Sequence, residues 1–206
     1  LTGQALKAGR SPEAHLALLQ RLHGNAAEVP AALDALAARL TAQGVRLGSH
    51  DDTTAGDRHA AHARGARIAE FPETVAAAET AREMGDAVVM GAPNLVRDGS
   101  HKGNAGAREM VAAGLVTALA SDYHPPSLAR AAFALVDAGI CDLAAAWSLV
   151  SRGPARMLGL DDRGELRPGL RADLTVIDPA TRRVTATISG GRVSYLSGEA
   201  AARFLD

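Results

Sequence analysis

The sequence predicts an α/β fold carried by a parallel sheet, and three observations lead there. Short apolar runs begin at residues 45, 66, 87 and 116, with helix-forming stretches between them. Such a βα rhythm lays strands side by side in one direction, because each connecting helix carries the chain back to the same end of the sheet. The polar residues with the most useful chemistry fall just past the carboxyl ends of those runs: His50-Asp51-Asp52, Glu70, Asn94 and Asp122. In parallel βα folds that end is where loops and helix N-termini converge on a ligand. Finally, the rhythm stops after Leu160 and gives way to alternating residues with hairpin turns.

Taken in order, residues 1–43 read as helical. Ser11-Pro12-Glu13 is a helix start, with Ser11 as N-cap and proline in the first turn, and Pro30 opens a second helix. Val45–Ser49 is a strand ending at His50, and Asp51–Thr54 can cap a helix running to about Arg64. Ala66–Ala69 is a second strand ending at Glu70, after which Phe71-Pro72-Glu73-Thr74 opens a helix. Ala87–Met90 is the third strand, followed by Gly91-Ala92-Pro93-Asn94 and a polar, glycine-rich loop into a helix over 105–113. Val116–Ala120 is the fourth, ending at Ser121-Asp122, with Ser127 expected to cap the next helix. In the tail, Val184–Ser189 and Arg192–Tyr195 flank Gly190-Gly191, a two-residue hairpin signal. About three antiparallel strands are expected there, too few to stand alone.

Composition narrows the function. The 206 residues are 47% hydrophobic and 22% charged, a globular balance, and a net charge of −1 gives no basic field for nucleic acid. Aromatics at 3% leave few platforms on which bases could stack. The single cysteine, Cys141, excludes an intramolecular disulfide framework and has no basic activator beside it. No apolar stretch reaches the length of a membrane span, so no membrane partner is expected and the location expected is cytoplasmic. Lysine occurs only at positions 7 and 102, a skew that suggests a GC-rich bacterial source.

His50 and Asp122 suit a divalent metal, since imidazole and carboxylate are usual ligands for zinc, manganese or iron. Each alone is also what a helix cap looks like; two strand ends with metal-type donors favour the metal. Gly99-Ser100-His101-Lys102-Gly103-Asn104 reads as an anion cradle, where glycines let backbone N–H groups turn inward and Lys102 adds charge. A plain flexible loop fits that composition equally well. His59 and His62 read as a solvated helix face, His15 and His23 as surface, and His124 as a neighbour of Asp122. Trp147, with Leu143, Ala146 and Val150, reads as a core stripe.

The motifs SHDDTT (49–54), EFP (70–72), GAPN (91–94), GSHKGN (99–104) and SDY (121–123) occur in this order. That series resembles the phosphonate-metabolism branch of the amidohydrolase superfamily. Gly153–Leu160 and Gly164–Leu174 resemble the general tail of the superfamily. The resemblance implies the C-terminal half of a metal-dependent (β/α)₈ barrel: a helical lead-in at 1–43, four βα units over 44–160, and part of a small β-sandwich at 161–206. Its four strands would be barrel strands five to eight. His50 would be the strand-five metal ligand and Asp122 the carboxylate that binds metal and activates water, with Glu70 and His101 as further ligands. Asn94, Ser100, His101, Lys102, Gly103 and Asn104 would hold a phosphorylated small-molecule substrate.

The implied activity is hydrolysis of a phosphoanhydride on a ribose triphosphate, with release of diphosphate, in the carbon–phosphorus lyase route of phosphonate breakdown. Amide or N-acyl hydrolysis on the same fold, and a half-barrel that binds without turnover, are the alternatives. The upstream histidine motif and strand-four acid of such barrels are absent, so the chain by itself is expected to be inactive. Open sheet edges lead us to expect association, either with a second copy or with the remaining half.

Overall fold

A computed structural model describes residues 1–97 and 106–203. Its contacts divide the chain into two units, Leu1–Leu47 and Gly48–Asp206. The first is helical: α1 (Thr2–Lys7), α2 (Pro12–Gly24), a 3₁₀ turn at Ala26–Glu28 and α3 (Val29–Ala42). Ser11 caps α2 as expected, its side chain accepting from the Ala14 N–H at 3.2 Å. His15, expected at the surface, is instead the buried residue of α2, withdrawn from water by the packing of the helical unit around it.

In the second unit the βα rhythm appears in full. β1 (Leu47–His50), α4 (Ala55–Ala63), β2 (Ala66–Glu70), α5 (Val75–Glu83), β3 (Ala87–Gly91), α6 (Ala92–Val96), α7 (Ala107–Ala112) and β4 (Ala118–Ala120) follow one another. The strands form one sheet in the order β1-β2-β3-β4, with β2–β3 and β3–β4 parallel in the registers Glu70↔Val89 and Gly91↔Ala120. Then come α8 (Ser127–Asp137), α9 (Leu143–Ser148) and α10 (Arg152–Met157). Thr54 caps α4 through a capping box with Asp57, and Thr74 caps α5. Ser127 does not cap α8; it is the first residue of the helix, buried, and donates its hydroxyl to the His124 carbonyl at 2.7 Å. Past β3, which ends at Gly91, the chain turns straight into α6 from Ala92, with Pro93 in its first turn where a missing N–H costs nothing.

One face of the sheet is dry. Ala69, Val88, Met90 and Leu119 pack against Ala78 and Ala81 of α5, Leu95 of α6, Met110 of α7 and Leu135 of α8. Alternation along each strand turns Ile68, Glu70, Val89, Ala118 and Ala120 to the opposite face, where they line a cavity of about 380 Å³ with Gly48, His50, Pro154 and Met157. Close approach closes one side of it. A Cβ at Gly153 would lie 2.0 Å from the Thr117 carbonyl oxygen, so only glycine lets α10 lie this near the start of β4. The Trp147 stripe is correct for Ala146, Trp147 and Val150, whereas Leu143 at the start of α9 is half exposed.

The tail forms a second sheet, antiparallel, in the order β5 (Leu174–Ile177), β6 (Val184–Ser189) and β7 (Arg192–Leu196), followed by α11 (Gly198–Ala202). Gly190 and Gly191 both have positive φ, at 56° and 79°, the conformation that a two-residue hairpin of this hand requires. Arg182, in the β5–β6 turn, clamps Asp137 at the end of α8 with both terminal nitrogens and lies 4.9 Å from the centre of the Phe133 ring.

Candidate active site

His50 is the last residue of β1 and Glu70 the last of β2, so the parallel pairing puts both side chains at one end of the cavity face. Their closest atoms, Nε2 and Oε2, are 3.9 Å apart, with 57% and 43% of the two side chains exposed. The other ring nitrogen of His50 is 3.1 Å from Asp51 Oδ1. Phe71 meets the imidazole edge to face, with ring centres 5.3 Å apart at 73°. Asp122 lies two residues past β4, exposed and with φ of 49°; neither it nor His124 lines the cavity. Asn94 is exposed on α6. Among the described residues, no three His, Cys, Asp or Glu side chains gather as a metal-binding group. Ser100, His101, Lys102, Gly103 and Asn104 lie outside the described residues.

The two residues that do meet fit a divalent ion in kind. An imidazole nitrogen and a carboxylate oxygen, both solvent-accessible and, among the described residues, with no Arg or Lys ion pair, form a borderline donor pair of the sort zinc, manganese or iron accepts. Two such donors are fewer than the four that a zinc ion takes.

Beneath this end of β1 runs a buried charge network that sequence reasoning missed. Arg58 of α4 is fully buried. Its Nη1 donates to Ser49 Oγ at 2.7 Å and Asp52 Oδ2 at 3.0 Å, and its Nη2 donates to the Ala66 carbonyl at 2.6 Å. Nε faces Asp86 Oδ2 at 3.5 Å, and Asp86 is 1% exposed. Ser49 and Asp52 bracket His50-Asp51, so one guanidinium fixes the backbone on both sides of the site and ties it to β2. His62, expected on a solvated face, is instead half-buried, with Nδ1 2.8 Å from Asp86 Oδ2. A signal was present: Asp86 directly precedes the apolar Ala87–Met90 run, where a carboxylate needs a buried partner. His59 is exposed, with its Nδ1 2.7 Å from the Ala55 carbonyl oxygen.

Away from the site, hydrogen bonds from the Thr54 side chain and then its backbone hold Asp57 below the usual carboxylate range. Burial raises the Cys141 thiol, with the Asp142 charge adding to it, in keeping with an inert cysteine. Among the described residues no helix is long and apolar enough to cross a membrane.

Parallel βα units with metal-type side chains at the carboxyl ends of the strands, followed by a small β-sheet, define the barrel hydrolases of the amidohydrolase type. The chain belongs to the amidohydrolase family, whose model matches residues 4–195. Over 145 residues it is 46% identical to alpha-D-ribose 1-methylphosphonate 5-triphosphate diphosphatase from Escherichia coli K12, a stretch covering 69% of this chain and 38% of that protein. Solved structures with the same fold include an amidohydrolase from Thermotoga maritima (TM-score 0.60, 21% identity, 75% of this chain and 44% of that one). N-acetylglucosamine-6-phosphate deacetylase from Pasteurella multocida is another (TM-score 0.57, 11% identity, 76% and 52%). The four βα units thus correspond to part of a (β/α)₈ barrel, and the chain spans well under half the length of the curated relative.

Proposed function

We propose that these residues form part of a metal-dependent phosphoanhydride hydrolase, acting on alpha-D-ribose 1-methylphosphonate 5-triphosphate to leave the 5-phosphate and diphosphate. The observation that carries this reading is the 46% identity to the E. coli diphosphatase, far above the 11–21% shared with the two structural relatives. His50 and Glu70 would hold a divalent ion at the mouth of the cavity. Such an ion, once bound, polarises a phosphoryl oxygen and lowers the pKa of water. Asp122, exposed just past β4 and apart from that pair in this chain, would take the proton that water loses once the rest of the barrel completes the site. The water oxygen bonds to the α-phosphorus, the bond from that phosphorus to the α–β bridging oxygen breaks, and diphosphate leaves with the electron pair. Asn94 and the 99–104 segment, with Lys102 and its glycines, supply hydrogen-bond donors and charge for the phosphate oxygens.

The test replaces the matched region of the E. coli enzyme by this chain's 145 residues. The chimera is expected to release diphosphate from the triphosphate, with zinc, manganese or iron supplied, and to lose that activity on His50→Ala or Asp122→Asn. A folded chimera that hydrolyses N-acyl or cyclic amide substrates and releases no diphosphate would overturn the reading.

A further inference from the structure

The corners after β1 and β2 are both built on residues in the left-handed region, Asp51 at φ 59° and Phe71 at φ 55°. Aspartate tolerates this conformation; phenylalanine is a genuine outlier there, and a turn alone would be met more easily by glycine or asparagine. Backbone hydrogen bonds lock both corners: the Asp51 N–H donates to the Glu70 carbonyl at 3.0 Å and the Phe71 N–H to the Val89 carbonyl at 2.9 Å. Strain kept in place at two successive strand ends calls for a local reason.

Both side chains converge on the same ring. Asp51 Oδ1 lies 3.1 Å from Nδ1 of His50, and the Phe71 ring meets the imidazole at 73°. We infer that Asp51 and Phe71 are positioning residues that fix the tautomer and the plane of His50. The inference rests on the reading of His50 as a metal ligand. The Asp51 carboxylate, 3.1 Å from Nδ1, draws the ring proton to that nitrogen, which leaves the lone pair of Nε2 on the side of Glu70, 3.9 Å away. A ligating histidine is normally fixed in this way by a carboxylate on its second nitrogen. Phe71 prevents the ring from turning over, which would exchange the two nitrogens.

Two measurements on the 206-residue chain test this. Long-range ¹⁵N–¹H spectra without metal should show His50 protonated at Nδ1, and Asp51→Gly should move the proton toward Nε2. Zn²⁺ titration should show a loss of affinity of about tenfold or more for Asp51→Gly and Phe71→Gly, with Phe71→Tyr close to wild type. Glycine suits both corners, so thermal melts should show Phe71→Gly at least as stable as Phe71→Ala, which separates the ring from the turn. Should a glycine variant not fold, Asp51→Asn and Phe71→Leu take its place. If wild-type His50 carries its proton on Nε2, or if the variants bind Zn²⁺ as wild type does while His50→Ala does not, the inference falls alone. If His50→Ala leaves Zn²⁺ binding unchanged, the metal reading falls and this inference with it.

Discussion

Arg58 holds the corner after β1 from beneath, through its contacts to Ser49 and Asp52 on either side of His50-Asp51. Its guanidinium is surrounded by Ser49, Asp52, the Ala66 carbonyl and Asp86, all within hydrogen-bond or ion-pair distance and almost wholly out of water. Removing one member of such a set leaves the others charged and buried, which costs about 3–5 kcal/mol, whereas an apolar replacement of the whole set can be close to neutral. Arg58→Met is therefore expected to lower the unfolding free energy by that amount in urea, and Arg58→Met/Asp86→Leu to recover a good part of it. A loss under about 1 kcal/mol for the single variant would mean that water or backbone movement rescues the two carboxylates.

At the scale of elements, Arg182 joins the turn of the tail sheet to α8. Arg182 binds Asp137 through both terminal nitrogens, and this hydrogen bonding, with the Arg182 charge after it, holds the Asp137 carboxyl below its usual 3.8. The folded pKa is depressed, so the stabilisation is fully present above the unfolded value of 3.8 and is lost as pH falls through the lower, folded value. Both side chains are about half exposed, so the contribution is small and screened by salt. Asp137→Asn should lower the melting temperature near neutral pH. The gap from wild type should close once the pH is well below 3.8, as melts at a series of pH values would show. A gap that persists in strong acid would assign the effect to packing of Arg182 on Phe133 instead.

For the whole molecule, two metal-type donors meet and a third stands apart on its own corner. Catalysis needs its groups held to a fraction of an ångström, and a pair of ligands leaves an ion mobile. The 206-residue chain alone is expected to release no diphosphate, even with divalent ions, while still binding Zn²⁺ weakly through His50 and Glu70. A phosphate-release assay checks this; metal-dependent turnover abolished by Asp122→Asn would show that the chain assembles a complete site unaided. Sedimentation of the same sample tests the expected association, since β1 stands at the end of the four-stranded order and, among the described residues, pairs with a strand on one side only.

Sequence alone determined the βα order, the strand ends at His50 and Glu70, the Thr54 and Thr74 caps and the Gly190-Gly191 hairpin. Each depends on residues within a few positions of one another, where periodicity, capping and turn chemistry act. It also placed the polar residues at the carboxyl ends of the strands, because the direction of a parallel strand is fixed by the chain itself. Only the tertiary structure decided that His50 and Glu70 meet while Asp122 stays apart, that Asn94 starts out on a helix, and that His15 and His62 are withdrawn from water. Those outcomes depend on which faces of separate elements are brought together. The Arg58 network is the clearest case: Ser49, Asp52, Arg58, Ala66 and Asp86 are spread over 38 positions of sequence and share no local pattern. They come together because parallel pairing and the return of α4 put one guanidinium where three hydrogen-bond acceptors and the Asp86 carboxylate converge, and a buried charge is tolerated only where opposite charge and acceptors answer it.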